Sequence, residues 1–358
     1  MNLIKGLLCG FALIAVASEA ADARKLLPVH TAGRVVQESI DNHIRYTYSW
    51  PGVYFEAEFT GTAVDLDLND DQNILNVIID DQAPIVLNKP GKQTYSITSL
   101  ANTKHRVRLE KLTETQWSKA SFDGFYIPPS GKARKVAPPK RQIEFIGDSF
   151  TVGYGNTSSS RDCTTEQVYA TTNTQLAFGP RVAKHFDADY QINASSGFGV
   201  VRNYNGITPD KSLVKLYPHA LHDGGAVDNA KWSPKIIVIG LGTNDFSTPL
   251  NAGERWPSRE ALRTDYIENY KTFIKSLRAK NPKAYFVLNA SQAHDGEIQA
   301  QVEKVIADLK AAGETKIDSL FFSGLDHAGC HWHPSLKDNE LLAELFIKKI
   351  EANRSWWE

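Results

Sequence analysis

The stretch Ile143-Glu144-Phe145-Ile146-Gly147-Asp148-Ser149-Phe150-Thr151 decides the fold. A strand-forming run leads straight into Gly-Asp-Ser, which puts a serine hydroxyl in a strand-to-helix turn, where the start of the helix also offers backbone N–H groups. Further apolar strand-like runs follow at Tyr190-Gln191-Ile192, Ile236-Ile237-Val238-Ile239, Tyr285-Phe286-Val287-Leu288 and Leu320-Phe321-Phe322. Helical patterns lie between and after them. One runs from about Ser258 to Ala279, with Leu262, Tyr266, Tyr270, Phe273, Ile274 and Leu277 on one side; a second carries Ile298, Val302, Val305, Ile306 and Leu309. A third opens at Ser335 as N-cap and carries Leu341, Leu342, Leu345 and Ile350. This alternation predicts an α/β domain, a five-stranded parallel sheet with helices on both faces, over residues 141–358.

Upstream the period changes. Tyr46-Thr47-Tyr48, Val53 to Phe59, Val64 to Leu68, Val77-Ile78-Ile79 and Arg106 to Glu110 are short alternating runs punctuated by Gly52, Gly61, Asp80-Asp81 and Pro90-Gly91, which predicts a β-sandwich over residues 24–127. Residues 128–140 are rich in Pro, Lys and Arg without apolar periodicity and read as an extended, solvated linker.

Residues 1–23 read as a secretory signal peptide: Lys5 at the start, an apolar stretch Leu7 to Val16, and Ala20 or Ala23 at a small-residue cleavage site. The apolar run falls short of the roughly 20 residues that span a bilayer. The mature chain is thus expected to be secreted or periplasmic and to lack a membrane segment. A net charge of -1 over 358 residues gives no electrostatic bias toward nucleic acid. Without the leader two cysteines remain, Cys163 and Cys330, expected to pair in an oxidising compartment; two unrelated buried thiols are the alternative.

In an open parallel sheet the ligand crevice lies beyond the carboxyl ends of the strands, so residues just after strands converge. Ser149 after the first strand is the candidate nucleophile. Asn193-Ala194-Ser195-Ser196-Gly197-Phe198-Gly199 follows the second, and Gly197 is a candidate oxyanion-hole donor because glycine lets the backbone turn an N–H inward. Gly240-Leu241-Gly242-Thr243-Asn244-Asp245 ends the third, and Asn244 can aim its amide at the same point. After the fifth comes Asp326-His327-Ala328-Gly329-Cys330-His331-Trp332-His333-Pro334. His333, fixed by Pro334 just ahead of a helix start, is preferred as general base, and His327 and His331 compete on chemistry alone. Phe198, Tyr204, Trp256 and Trp332 are candidate substrate-binding aromatics, with plain packing the alternative for each.

Gly147-Asp148-Ser149, Gly197, Gly242-Thr243-Asn244-Asp245 and His333-Pro334, in that order, resemble the four blocks of the SGNH (GDSL-type) hydrolase family. The upstream β-domain and the stretches Ser195 to Asn203 and Cys330 to Pro334 resemble carbohydrate esterase family 2, and the likeness covers nearly the whole mature chain. The resemblance implies a jelly-roll domain ahead of a flavodoxin-like SGNH hydrolase domain. It further implies a serine esterase of the acetylxylan-esterase type, acting on acetylated polysaccharide or oligosaccharide (xylan, glucomannan or related plant cell-wall glycans) with a preference for 6-O-acetyl groups of hexoses. No cofactor and no metal are expected, and the chain is expected to be a monomer. One departure stands out. The wider family has an acid three residues before the histidine, where this chain has Cys330; family 2 members often have Asp two residues before, where this chain has His331. A backbone carbonyl, that of His331, is expected to orient His333 instead, with Asp326 swinging in from upstream as the alternative.

Two rival readings belong to other classes. Asp326, His327, His331 and His333 carry the ligand chemistry of a zinc-dependent deacetylase, yet that reading leaves Ser149, Gly197 and Asn244 without a role. A catalytically silent carbohydrate-binding protein would account for the missing acid. Within the enzymes, a lipase or thioesterase is disfavoured by the lack of a long apolar lid.

Overall fold

The computed structural model describes residues 24–40, 43–227, 231–292 and 294–358. The expected signal peptide lies outside these residues.

The upstream half folds as two antiparallel sheets packed face to face. One has strands in the order Val35–Ile40, His43–Tyr48, Ala120–Ile127, Val64–Asp70 and Gly91–Ile97, with Lys25–Leu26 beside Ala120–Ile127. The other runs Lys132–Arg134, Tyr54–Gly61, Thr103–Lys111, Ile74–Ile79 and Ile85–Asn88, with His30–Ala32 beside Tyr54–Gly61. Alternation makes the core: in Val64–Asp70 every second residue (Val64, Leu66, Leu68) is buried, while Asp65 and Asp67 face outward to Arg24. The expected linker is corrected at one point. Lys132–Arg134, within residues 128–140, pairs antiparallel with Tyr54–Gly61, so a solvent-exposed stretch is nevertheless an edge strand.

In the second half the parallel strands are β1 (Arg141–Gly147), β2 (Ala188–Ala194), β3 (Ile236–Gly240), β4 (Tyr285–Ser291) and β5 (Ile317–Phe322), in spatial order 2-1-3-4-5. Near-continuous apolar runs such as Ile236 to Ile239 are buried on both faces, as a sheet covered by helices on both sides requires. On one side lie α1 (Arg259–Lys280), capped by Ser258, and α2 (Glu297–Ala311); on the other lie Phe178–His185 and α3 (Leu336–Ala352), capped by Ser335. The strand order reverses between β1 and β3, so the crevice opens at the carboxyl ends of those strands.

The two halves share packing and polar contacts. Trp50, from the sandwich, is fully buried in the core around α1, and Ala32 and Tyr54 join the core on the opposite face of the parallel sheet. Gln175 donates to the carbonyls of Gly52 and Lys111, and Arg108 donates to the Tyr190 hydroxyl. Among the described residues no helix is long and apolar enough to cross a membrane.

Candidate active site

Ser149 opens a one-turn helix, Ser149–Val152, directly after β1, and the Asp148 carboxylate caps that turn by accepting from Phe150 N–H (3.1 Å). The glycine before it is required by close approach, since a Cβ on Gly147 would sit 2.0 Å from Thr151 Oγ1 and 3.1 Å from the Gly240 carbonyl. The tight turn exposes the hydroxyl to a cleft of about 850 Å³ that is also lined by Gly197, Asn244, His327, Trp332 and His333.

Ser149 Oγ lies 2.8 Å from His333 Nε2. On the far side of the ring, Nδ1 lies 2.9 Å from the Cys330 carbonyl and 3.1 Å from that of His331. Carbonyl oxygens only accept, so Nδ1 carries the hydrogen and Nε2 is left as acceptor for the serine hydroxyl. Burial pushes the His333 pKa down to about 4; the two carbonyls oppose that shift and His331 and His327 add to it.

The other imidazoles are engaged elsewhere. His331 Nε2 donates to the Cys163 carbonyl (2.8 Å), which leaves its Nδ1 to accept from the Tyr154 hydroxyl (3.0 Å). His327 packs against Phe150 with the rings tilted at 53° and their centroids 5.9 Å apart. Asp326 does not orient the base, which corrects the alternative entertained from sequence: its carboxylate accepts from Ala328 N–H (2.9 Å), and its own N–H is held by Asp338. The reason is local. Asp338 Oδ1 accepts from Asp326 N–H, and its Oδ2 accepts from the His327 and Ser335 N–H groups, so the loop is pinned to the start of α3 and Asp326 turns back on its own chain. Among the described residues no three or more His, Cys, Asp or Glu side chains are grouped to hold a metal.

Asn244 donates to the Phe198 carbonyl (3.0 Å) and makes a long approach of 3.5 Å to Asp148 Oδ2, which fixes the plane of its amide. Asp245 lies beneath the second loop, where its carboxylate accepts the N–H groups of Val200, Val201 and Arg202 at 2.9–3.0 Å. Burial pushes Asp148 up to about 7 and Asp245 up to about 6, against the backbone N–H groups that each accepts.

Of the four aromatic candidates, two reach the cleft. Tyr204 is 52% and Trp332 66% exposed, and the Arg161 guanidinium covers one face of the Trp332 ring at 4.2 Å. Phe198 and Trp256 are corrected: Phe198 is 6% exposed within the core around α1, and Trp256 packs against that core with its indole N–H on Asp265. A loop residue's neighbours depend on which way the chain bends, and no local pattern reports that bend.

Cys163 and Cys330 are joined by a disulfide with Cα atoms 5.5 Å apart. Three groups went unread in the sequence. The Cys330 carbonyl is the shorter of the two contacts to His333 Nδ1, and Glu114 and Gln116 reach the cleft from the sandwich. Their loop carries no motif, so no sequence signal marked them.

Two family models match the chain, that of the carbohydrate esterase 2 N-terminal domain over residues 31–139 and that of the GDSL-like lipase/acylhydrolase family over residues 145–340. The chain is 56% identical to an acetylxylan esterase / glucomannan deacetylase of Cellvibrio japonicus, over 98% of each chain. It superimposes with a TM-score of 0.90 on a solved carbohydrate esterase, also 56% identical, whose active site is described as displaying divergent catalytic and non-catalytic binding functions; the match covers 93% of this chain and 100% of that one. A family two carbohydrate esterase from Clostridium thermocellum, solved in complex with cellohexaose, is 29% identical with a TM-score of 0.79, covering 92% and 100%. A jelly-roll half, a parallel-sheet half with a serine and a histidine 2.8 Å apart at its carboxyl edge, and relatives of this closeness lead to one assignment: the chain belongs to carbohydrate esterase family 2 and is a carboxylic ester hydrolase.

Proposed function

We propose that the protein is a secreted serine esterase that removes O-acetyl groups from plant cell-wall polysaccharide of the xylan and glucomannan kind, preferring 6-O-acetyl groups of hexoses. In this reading Ser149 Oγ attacks the acetyl carbonyl carbon while His333 Nε2 takes the hydroxyl proton. The oxyanion is received by the N–H groups of Ser149 and Gly197 and by the Asn244 amide. The ester C–O bond to the sugar breaks as His333 returns the proton to the departing sugar oxygen. A water, deprotonated by the same imidazole, then releases acetate from the serine ester.

The observation that carries the reading is the 2.8 Å contact between Ser149 Oγ and His333 Nε2, with Nδ1 held by two carbonyls. A base needs only the right tautomer and orientation, so a dyad suffices. The substrate class rests on the Cellvibrio japonicus relative. The positional preference is supported by the shape of the site. An acetyl on a primary carbon projects furthest from the sugar ring, and so reaches a nearly buried serine while the ring rests on Trp332 and Tyr204 at the rim.

The test is acetate release from acetylated xylan and acetylated glucomannan by the wild type, Ser149→Ala, His333→Ala and Asp326→Asn, with and without a chelator. The first two variants should be inactive, and Asp326→Asn and the chelated enzyme active. A second reading, glycan binding without turnover, is favoured by the relative with divergent catalytic and non-catalytic binding functions. It takes over if the wild type binds glycan and releases no acetate.

A further inference from the structure

Gly197 and Ser196 share a peptide group, and that group is gripped from the other domain. Gln116, in the sandwich loop between Thr103–Lys111 and Ala120–Ile127, donates through Nε2 to the Ser196 carbonyl (2.7 Å) and to Ser195 Oγ (3.0 Å). Beside it, Glu114 Oε1 accepts from Ser196 N–H (2.8 Å) and lies 3.1 Å from Gln116 Nε2, whose two hydrogens are shared among the three acceptors. The described residues contain no cis peptide bond, so the Ser196 carbonyl and the Gly197 N–H point in opposite directions across one rigid plane. Holding the carbonyl toward Gln116 therefore turns the N–H away from Gln116, in a cleft that Ser149 and Asn244 also line.

Little else prevents this peptide from turning over. Gly197, at φ +83, follows the central peptide of a turn closed by Phe198 N–H on the Ser195 carbonyl (3.3 Å), and turning that peptide over leaves the closing contact in place while changing the sign of φ at Gly197. Glycine accepts either sign of φ at similar energy. The flanking contacts, Ser195 N–H to the Gly147 carbonyl (3.1 Å) and Tyr204 N–H to the Gly197 carbonyl (2.9 Å), anchor the neighbouring peptides and leave this one to Gln116. Were it to flip, a carbonyl would face the developing oxyanion in place of a donor.

We propose that Gln116 is a positioning residue for catalysis: by clamping the Ser196–Gly197 peptide, the sandwich domain completes the oxyanion hole of the hydrolase domain. The inference rests on the proposed role of Gly197 as an oxyanion donor. It gives the sandwich a part in turnover in addition to any part in binding glycan.

The test compares wild type, Ser149→Ala, Gln116→Leu and Gln116→Glu in the full chain on 4-nitrophenyl acetate and acetylated xylan. Gln116→Leu removes the donor; Gln116→Glu keeps its shape but turns an acceptor toward the Ser196 carbonyl. Both should lower kcat about 10- to 100-fold, with KM within about twofold of wild type, since an oxyanion donor acts on the transition state and not on ground-state binding. The acid limb of the pH profile should not move, because His333 is untouched. An unchanged melting temperature for Gln116→Glu separates this effect from misfolding. Unchanged kcat in both variants, or a raised KM at constant kcat, overturns the proposal while leaving the esterase reading intact if Ser149→Ala is inactive. An inactive wild type sinks the esterase reading itself.

Discussion

In the proposed mechanism His333 accepts a proton from serine and so must be neutral, and burial favours the neutral ring by pushing its pKa down from 6.5 to about 4. Activity that depends on the neutral ring is present above the folded-state pKa and lost below it. The His333 limb of kcat/KM on 4-nitrophenyl acetate is therefore expected near pH 4, with a fall of roughly tenfold per pH unit below it, apart from any smaller change between pH 7 and 6, where burial places Asp148 and Asp245. A tenfold fall per unit that begins near 6.5 and persists in Asp148→Asn would show that the ring is more open to water than its surroundings imply. Asn244 offers a second check. If Asn244 serves as the proposed oxyanion donor, Asn244→Ala should lower kcat about 10²- to 10³-fold with little change in KM, read from initial rates. Ser149, Gly197 and Asn244 could be proposed from the sequence because each lies in the turn that follows a strand, and His333 because it stands two residues ahead of the Ser335 cap; both are local patterns. The places of Phe198 and Trp256 could not be read, because only packing decides whether an aromatic on a loop faces the cleft or the core.

At the scale of elements, two buried aspartates hold the loops that line the cleft to their frames. Asp245 satisfies three backbone N–H groups, of Val200, Val201 and Arg202, in the loop that follows β2. Asp245→Ala leaves them buried without an acceptor, and the expected loss is on the order of 3–5 kcal/mol in urea unfolding. A loss under about 1 kcal/mol would mean that water takes the carboxylate's place. Asp338 ties the stretch before His333 to the capping box of α3, where Ser335 Oγ accepts from Asp338 N–H and Asp338 accepts from Ser335 N–H. In the sandwich Val35–Ile40, Ile85–Asn88, Gly91–Ile97 and Ala120–Ile127 went unread, whereas the three long helices and the five parallel strands were readable, Ser335 as a cap included, because periodicity and capping are properties of neighbours in the chain. The edge strand Lys132–Arg134 was not. Its polar residues carry no burial pattern, and only the open edge of Tyr54–Gly61 recruits it.

Across the whole molecule, the Cys163–Cys330 disulfide links positions 167 residues apart, and so joins the loop after Ser149 to the turn whose Cys330 carbonyl orients His333. Reduction by a dithiol should lower stability by about 2–5 kcal/mol through the larger freedom of the unfolded chain, and should lower kcat as the turn loosens, both measured against the oxidised enzyme. His222 lies where the two halves meet, stacked on Trp50 at 4.3 Å, and burial pushes its pKa down to about 3. Its folded pKa is below the unfolded value of 6.5, so the unfolded chain binds the extra proton first, and stability is lost as pH falls from 6.5 toward 3. The melting temperature should fall over that range, and less steeply in His222→Leu; an identical slope in both proteins would assign the acid sensitivity elsewhere. By itself the sequence determined the order of the five parallel strands and the three long helices, the two kinds of sheet, and the serine, glycine and asparagine in turns after strands with the histidine just ahead of a helix, because each is written in residues a few positions apart. Only the tertiary structure decided which carbonyls orient the base, which aromatics reach the cleft, and that Gln116 grips a peptide 80 residues away, because those contacts exist only once the two halves have packed together.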